Sequence, residues 1–382
     1  MGNVSGCLEG TRREIIGKIV QWIDSDKPIC WLNGPAGGGK SAISRTVANL
    51  CEKSDRLGAS FFFLRGAGRR SAITYLVSTL AYTLAFTIPT TKPHIENALR
   101  RDFHIIHRSL ERQFQQLIVN PIRAVASSRL PMVIAIDALD ECDDRQMMGV
   151  FIDIVIRAFR DRRLPLRFFF TSRVEEHIQN KFEEAPAFAA TYSLALQNFD
   201  ADSDIRTFFQ SHFSTIYEEK HRFMRYITLP WPSPSVFDDL VLRSAGSFIF
   251  AFTLVNFVNN GTDLPHRKLE AALQSHTGCD PLYSQVLQIA PRSPHFSRII
   301  NPVITVLEPL SIMDMSCLFQ IETGDIIHAL QGVQSILIVP EMMNCLFGHS
   351  ILHCETFLTQ VSDPRISLSI LPYATLILSW TA

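Results

Sequence analysis

The chain has 382 residues, 47% of them apolar and 19% charged, with a formal net charge of −1 at pH 7. That size and composition suit two or three globular units with real cores and exclude a disordered or fibrous chain. The near-neutral total argues against direct binding to nucleic acid or to an anionic membrane surface.

Residues 11–23 place Ile15, Ile16, Ile19, Val20 and Ile23 on one helical face, which predicts an amphipathic lead helix within residues 1–27. An apolar strand at 29–32 then runs into Asn33-Gly34-Pro35-Ala36-Gly37-Gly38-Gly39-Lys40-Ser41. This is G-x-x-x-x-G-K-[ST] between a strand and a helical pattern, the setting a phosphate-binding loop requires. Glycines let backbone N–H groups approach phosphate oxygens, and the following helix directs its positive dipole end to the same place. Lys40 is expected to reach the terminal phosphates, and the Ser41 hydroxyl to meet Mg²⁺ between the β and γ oxygens. Gly34, Pro35, Ala36, Gly37, Gly38, Gly39, Lys40 and Ser41 are therefore the candidate nucleotide-binding loop.

Ile43, Val47 and Leu50 continue at helical spacing, and Ala59-Ser60-Phe61-Phe62-Phe63-Leu64 reads as a second, fully buried strand. Helical patterns fill residues 72–126, with Leu110, Phe114, Leu117 and Ile118 as a core stripe before Pro121. A third apolar strand, 132–136, ends in Asp137-Ala138-Leu139-Asp140-Glu141. This reads as a Walker B element. Asp137 is placed to bind Mg²⁺ opposite Ser41, since a hard cation takes oxygen ligands and keeps several waters. Glu141, one turn on, is the candidate general base for the attacking water, with Asp140 as the alternative.

A strand at 167–170 ends in Thr171-Ser172-Arg173, where Arg173 is placed to sense the γ-phosphate, and 192–196 is a further strand. Arg12, ahead of the first helix, is a candidate for the base side of the nucleotide. Strands separated by helices predict a parallel α/β sheet. Beyond residue 200 the pattern becomes helical at 202–213, 236–259 and 264–273, with Pro230, Pro232 and Pro234 marking a loop. A helix from 298, a helix capped by Ser311 and running through 319, a helix at 325–332 and short strands at 336–339 and 345–347 have the order of a winged helix. An apolar stretch at 366–380, too short to span a membrane, is expected to pack as a C-terminal helix. From residue 299 to the end Arg365 is the one basic side chain against seven acidic ones, so this segment is expected to meet protein rather than DNA. The eight cysteines form no C-x-x-C pair and no secretory signal opens the chain, so a cytoplasmic protein with reduced thiols and no zinc is expected.

These motifs resemble the NACHT family of STAND nucleotide-dependent switches, fungal members especially. The resemblance covers nearly the whole chain. It rests on Gly10-Thr11-Arg12, the loop from Gly34 to Ser41, Ser60-Phe61-Phe62-Phe63, Asp137-Ala138-Leu139-Asp140-Glu141, Thr171-Ser172-Arg173 and Ser244-Ala245-Gly246-Ser247-Phe248-Ile249-Phe250-Ala251. It implies a P-loop NTPase (28–200) with a parallel sheet flanked by helices, a helical domain (201–295) and a winged-helix-like domain with its C-terminal helix (296–382). It further implies ATP or ADP with Mg²⁺, slow hydrolysis as a timer, self-association with protein partners, and a role in defence or non-self recognition. The chain departs from many relatives where Ser247-Phe248, rather than Pro, follows Gly246, and at His349 and His353, neither of which has the usual spacing of the winged-helix phosphate contact. Relatives usually carry an effector domain before the ATPase and a sensing array after it. Their lack here points to a short member working with partners, or to a truncated remnant that binds nucleotide or partners without signalling. A continuously cycling P-loop ATPase or phosphotransferase is the enzyme-class alternative.

Overall fold

The computed structural model describes residues 6–65, 68–125, 131–160, 164–261, 263–274, 295–305 and 310–331. The expected strands at 336–339 and 345–347, the helix at 366–380, and His349 and His353 lie outside the described residues. The chain divides into two compact units, Met1–Asp204 and Ile205–Ala382.

The first unit is built on five strands. In chain order they alternate with helices: α1 Arg13–Ile23, β1 Ile29–Asn33, α2 Lys40–Lys53, β2 Leu57–Phe62, α3 Leu76–Thr87, α4 Lys92–Arg101, α5 Leu110–Phe114, α6 Asn120–Val125, β3 Met132–Asp137, α7 Arg145–Arg160, β4 Leu166–Ser172, α8 Glu176–Glu183, α9 Ala185–Ala190 and β5 Thr191–Ala195. The sheet order is β2-β3-β4-β1-β5, all pairs parallel. Such strands are covered on both faces, which is why they read as continuous apolar runs. Alternate side chains divide between two cores: Ile29, Trp31, Ile134, Ile136, Phe168 and Phe170 pack on the side of α3 to α8, and Cys30, Leu32, Val133, Ala135 and Phe169 on the side of α1 and α2. Asn33 lies opposite Ser172 and Ile136 opposite Phe170, so the carboxyl ends of β1, β3 and β4 finish level. This common edge is where a doubly wound sheet presents its ligand site.

Four expectations need correction. The lead helix buries Ile15, Ile19, Trp22 and Ile23 but leaves Val20 42% exposed. Trp22 takes the expected place of Val20, with its indole N–H donating to the Lys27 carbonyl at 2.8 Å and its ring against Phe169. Leu50, expected on the core face of α2, is likewise 40% exposed, and Cys51 fills that position. The second strand is an edge strand and not fully buried: Phe62 is half-buried, its ring lying under the Arg45 guanidinium at 4.1 Å. The predicted continuous helix over 236–259 is two helices, because Ala245 and Gly246 both take positive φ (45° and 75°). By contrast, the helix through Pro121 does not stop. A π turn at Gln115–Val119 joins α5 to α6, a geometry that accommodates a proline lacking its N–H and crowding the preceding turn.

The second unit continues with α10 Asp202–Glu219, α11 His221–Met224, α12 Pro234–Ser244, α13 Phe248–Asn259 and α14 Pro265–Gln274, and includes helices Phe296–Thr305, Ile312–Phe319 and Thr323–Gln331. Ile205, Phe209, Phe213 and Ile216 form the buried stripe of α10, which therefore runs past the expected end at 213. Ser311 caps its helix as expected, in a capping box with Asp314. The buried Lys268 ammonium donates to the Phe257 carbonyl at 2.9 Å and to the Asn260 side chain, closing the C-terminal end of α13. Among the described residues no single helix is long and apolar enough to cross a membrane.

Phe213 is fully buried, with its ring 5.7 Å from Phe209 and in edge contact with Trp231 and Phe237. Phe213→Ala should lower the unfolding free energy of the second unit by about 3 to 5 kcal/mol, the cost of a large unfilled core cavity. Urea titration followed by circular dichroism measures it; a change below about 1 kcal/mol would show that these rings do not form a packed core.

Candidate functional site: the phosphate loop and the acidic tip of β3

The loop turns tightly between β1 and α2 because Gly37 and Gly39 adopt φ of 71° and 91°, conformations that side chains with a Cβ disfavour. Gly34 is needed for space, since a Cβ there would come 2.7 Å from the Leu196 Cβ just after β5, whereas a Cβ on Gly38 would come 2.8 Å from the Leu196 Cδ2, the movable end of the same side chain. Leu196 thus forms a floor under the loop, a contact about 160 residues away in sequence that no local pattern announces. Arg12 lies beside this loop, 4% exposed, with Nη2 donating to the Gly38 carbonyl at 2.8 Å. Arg12 thus holds the loop backbone directly. The Lys40 ammonium donates to the Gly34 and Pro35 carbonyls at 2.9 and 2.7 Å. Burial lowers its pKa, opposed by the nearby Asp140, Asp137 and Glu141 carboxylates.

Opposite the loop, β3 ends in a carboxylate 3% exposed. Asp137 accepts from the Thr171 hydroxyl at 2.5 Å, and the Ser41 hydroxyl lies near enough to favour its charged form. The sheet thus brings together the two residues expected to hold Mg²⁺, one from α2 and one from β3. Burial raises the Asp137 pKa, against the lowering effect of these hydroxyls and Lys40. Ala138 follows with φ 60°, its N–H donating to the Thr171 oxygen at 3.0 Å. A large or β-branched residue would be strained in that left-handed conformation, which accounts for the small residue after the first acid.

The chain then makes a single 3₁₀ turn, Leu139–Glu141, which separates the two remaining acids. Asp140 is 3% exposed and turns both carboxylate oxygens to Arg173: the Arg173 backbone N–H donates to Oδ1 at 2.9 Å, and Nε lies 3.2 Å from Oδ2. Asp140 therefore holds Arg173 at the end of β4 through both its backbone and its side chain. Glu141 is half-buried, and burial, together with Asp140 and Asp137, pushes its carboxyl up to about 7. Arg65, just beyond β2, was not anticipated from the sequence. Its backbone N–H donates to Glu141 Oε2 at 3.3 Å and its Nη2 to the Asp140 carbonyl at 2.9 Å, tying the acidic turn to the neighbouring strand.

The donor set fits a nucleoside triphosphate with Mg²⁺: glycine-formed backbone space, one ammonium, one hydroxyl-carboxylate pair and a second cation at the level of the acids. Among the described residues no group of three or more His, Cys, Asp or Glu is disposed to hold a metal, so Ser41 and Asp137 would take only part of a Mg²⁺ shell, leaving the rest to phosphate oxygens and water.

The family described as the N-terminal region of nephrocystin 3 matches residues 10–173. Those bounds run from Gly10-Thr11-Arg12 to Thr171-Ser172-Arg173. No curated protein matches the chain in sequence. Among solved structures, the chain is similar to the Aeropyrum pernix ORC1 protein in complex with DNA (13% identity, 93% of this chain and 92% of that chain, TM-score 0.39). It is similar also to Drosophila ORC bound to DNA (15%, 86% and 87%, TM-score 0.42) and to Cdc6p from Pyrobaculum aerophilum (10%, 94% and 96%, TM-score 0.40). The first unit is a P-loop NTPase fold, an assignment that rests on strand order and loop geometry.

The two glycines that face Leu196 should respond differently. A Cβ on Gly34 meets the Leu196 Cβ, which cannot swing away, whereas a Cβ on Gly38 meets the mobile Cδ2 end. Gly34→Ala is expected to weaken nucleotide binding about tenfold or more, given about 1 to 3 kcal/mol for overpacking against a fixed atom. Gly38→Ala should cost less than about threefold, and isothermal titration with ADP compares them; equal losses would show that Leu196 is not the floor of the loop.

Proposed function

We propose that this chain is a cytoplasmic ATP/ADP-binding signalling switch of the NACHT type, in which slow Mg²⁺-dependent ATP hydrolysis controls self-association, with defence or non-self recognition as its setting. The observation that carries this reading is the placement of the Ser41 hydroxyl beside the buried Asp137 carboxylate, which brings the phosphate loop and the acidic tip of β3 together as one metal-ready pair. Ser41 and Asp137 would hold Mg²⁺, which would supply positive charge to offset the charge that develops on the phosphates.

The chain's own residues do the rest. Lys40 exchanges the Gly34 and Pro35 carbonyls for phosphate oxygens, which as anions make the stronger hydrogen bonds. Asp140 keeps Arg173 at the end of β4, where its charge can register the γ-phosphate. Glu141 orients the attacking water and takes its proton. A carboxyl raised to about 7 is matched to taking a proton from water at neutral pH, because it keeps basicity while a large fraction is deprotonated. Self-association and protein partners are favoured over nucleic acid by the single basic residue among seven acids from residue 299 onward.

Nucleotide released on denaturing the purified protein should be ADP or ATP, and light scattering should show larger particles with a non-hydrolysable ATP analogue than with ADP. Neither nucleotide nor Mg²⁺-dependent ATP binding would overturn the reading, and turnover above about 1 s⁻¹ would favour the cycling ATPase or phosphotransferase. A Lys40→Ala chain that assembles as the wild type does would favour the non-signalling remnant. Because Glu141 must be deprotonated to act, hydrolysis should rise with pH through about 7. Glu141→Gln should lower the rate about 10²- to 10⁴-fold and abolish that rise, as read by phosphate release from pH 5.5 to 8.5.

A further inference from the structure

The mechanism above leaves one half-buried charged group without a purpose. Asp204 lies in the first turn of α10 and is the last residue of the first unit. Its carboxylate Oδ2 is 3.7 Å from Nε of Arg12, and it also accepts a hydrogen bond from the Arg12 backbone N–H. Arg12 caps the start of α1 in a left-handed conformation, φ 57°, and its side chain is 4% exposed. The same guanidinium donates through Nη2 to the Gly38 carbonyl in the phosphate loop. One arginine therefore bridges a carboxylate on α10 and a carbonyl on the loop.

A guanidinium is a rigid fork, so fixing one edge fixes the direction of the other. Withdrawn from water, it also needs a counter-charge to stay where it is. Asp204 supplies this charge, assisted by the field of Asp200, whose own carboxylate is taken up by the backbone N–H groups of Asp202 and Ser203. The Gly38 carbonyl is attached to the peptide whose N–H belongs to Gly39, directly before Lys40. Its orientation therefore sets where the loop's donors point.

We infer that Asp204 is a positioning residue for nucleotide binding, holding the Arg12 guanidinium so that it fixes the Gly38 carbonyl and with it the donor geometry of the phosphate loop. It touches no nucleotide and acts through Arg12. This rests on the proposal that the loop binds ATP or ADP.

Binding of a fluorescent ADP analogue to the full chain, with Mg²⁺, tests it in four variants, alongside thermal melting of the ligand-free proteins. Asp204→Asn and Arg12→Gln should each raise Kd about tenfold, and the double variant should be no weaker than the weaker single, because the two side chains act as one unit. Asp202→Asn removes a neighbouring acid from the same helix turn and should leave Kd unchanged. A wild-type Kd for Asp204→Asn, additive losses in the double variant, or an equal loss from Asp202→Asn would each overturn the inference. If Asp204→Asn fails to fold, Asp204→Glu decides: Kd between wild type and Arg12→Gln supports it, and a lowered melting temperature with wild-type Kd overturns it. A wild-type protein that binds no analogue would instead sink the nucleotide reading itself.

Discussion

A carboxylate with almost no access to water ends β3, and the chemistry of the first unit depends on how it is satisfied. Removing a charge from water is tolerated only when hydrogen bonds or opposite charges replace the lost solvation. Asp137 obtains the Thr171 hydroxyl from β4 and the Ser41 hydroxyl from α2, with the Lys40 charge nearby. Each partner comes from a different element, so the carboxylate can be satisfied only when the parallel sheet has closed with β3 beside β4 and α2 above them. A buried anion poised this way is also a ready ligand for a hard cation.

The same economy of partners separates the acids that follow. A single 3₁₀ turn aims Asp140 at Arg173 and Glu141 toward Arg65, so the two acids meet different partners. Asp140 lies against the Arg173 side chain and backbone N–H, whereas Glu141 is half-buried near two other carboxylates and is driven toward protonation. Arg12 and Asp204 extend the principle to the loop: a buried cation is directed by an acid on one side and spends its remaining donors on a backbone carbonyl.

Much of this was readable before any coordinates. Buried parallel strands announce themselves as unbroken apolar runs, and G-x-x-x-x-G-K-S between such a run and a helix fixes the loop locally, because turn geometry, helix dipole and glycine freedom are all short-range. The Ser311 cap was equally legible, since a capping box spans only four residues. Less was visible where neighbours decide. The apolar composition of β2 cannot reveal that it ends up at the sheet edge with Phe62 under Arg45, and the helical periodicity over 236–259 hides the reversal at Ala245 and Gly246.

By itself the sequence determined the class of the first unit, the phosphate loop, the acidic tip of β3 and the arginine that ends β4, because each is written in contiguous residues whose local conformation follows from their own chemistry. Tertiary structure alone decided what those residues touch. It set Leu196 beneath Gly34 and Gly38, placed Arg12 on the Gly38 carbonyl, and gave Asp140 to Arg173. Those pairings join residues from about 26 to 160 positions apart, and at such separations the partner is chosen by the register of the sheet and the packing of its helices rather than by any spacing along the chain.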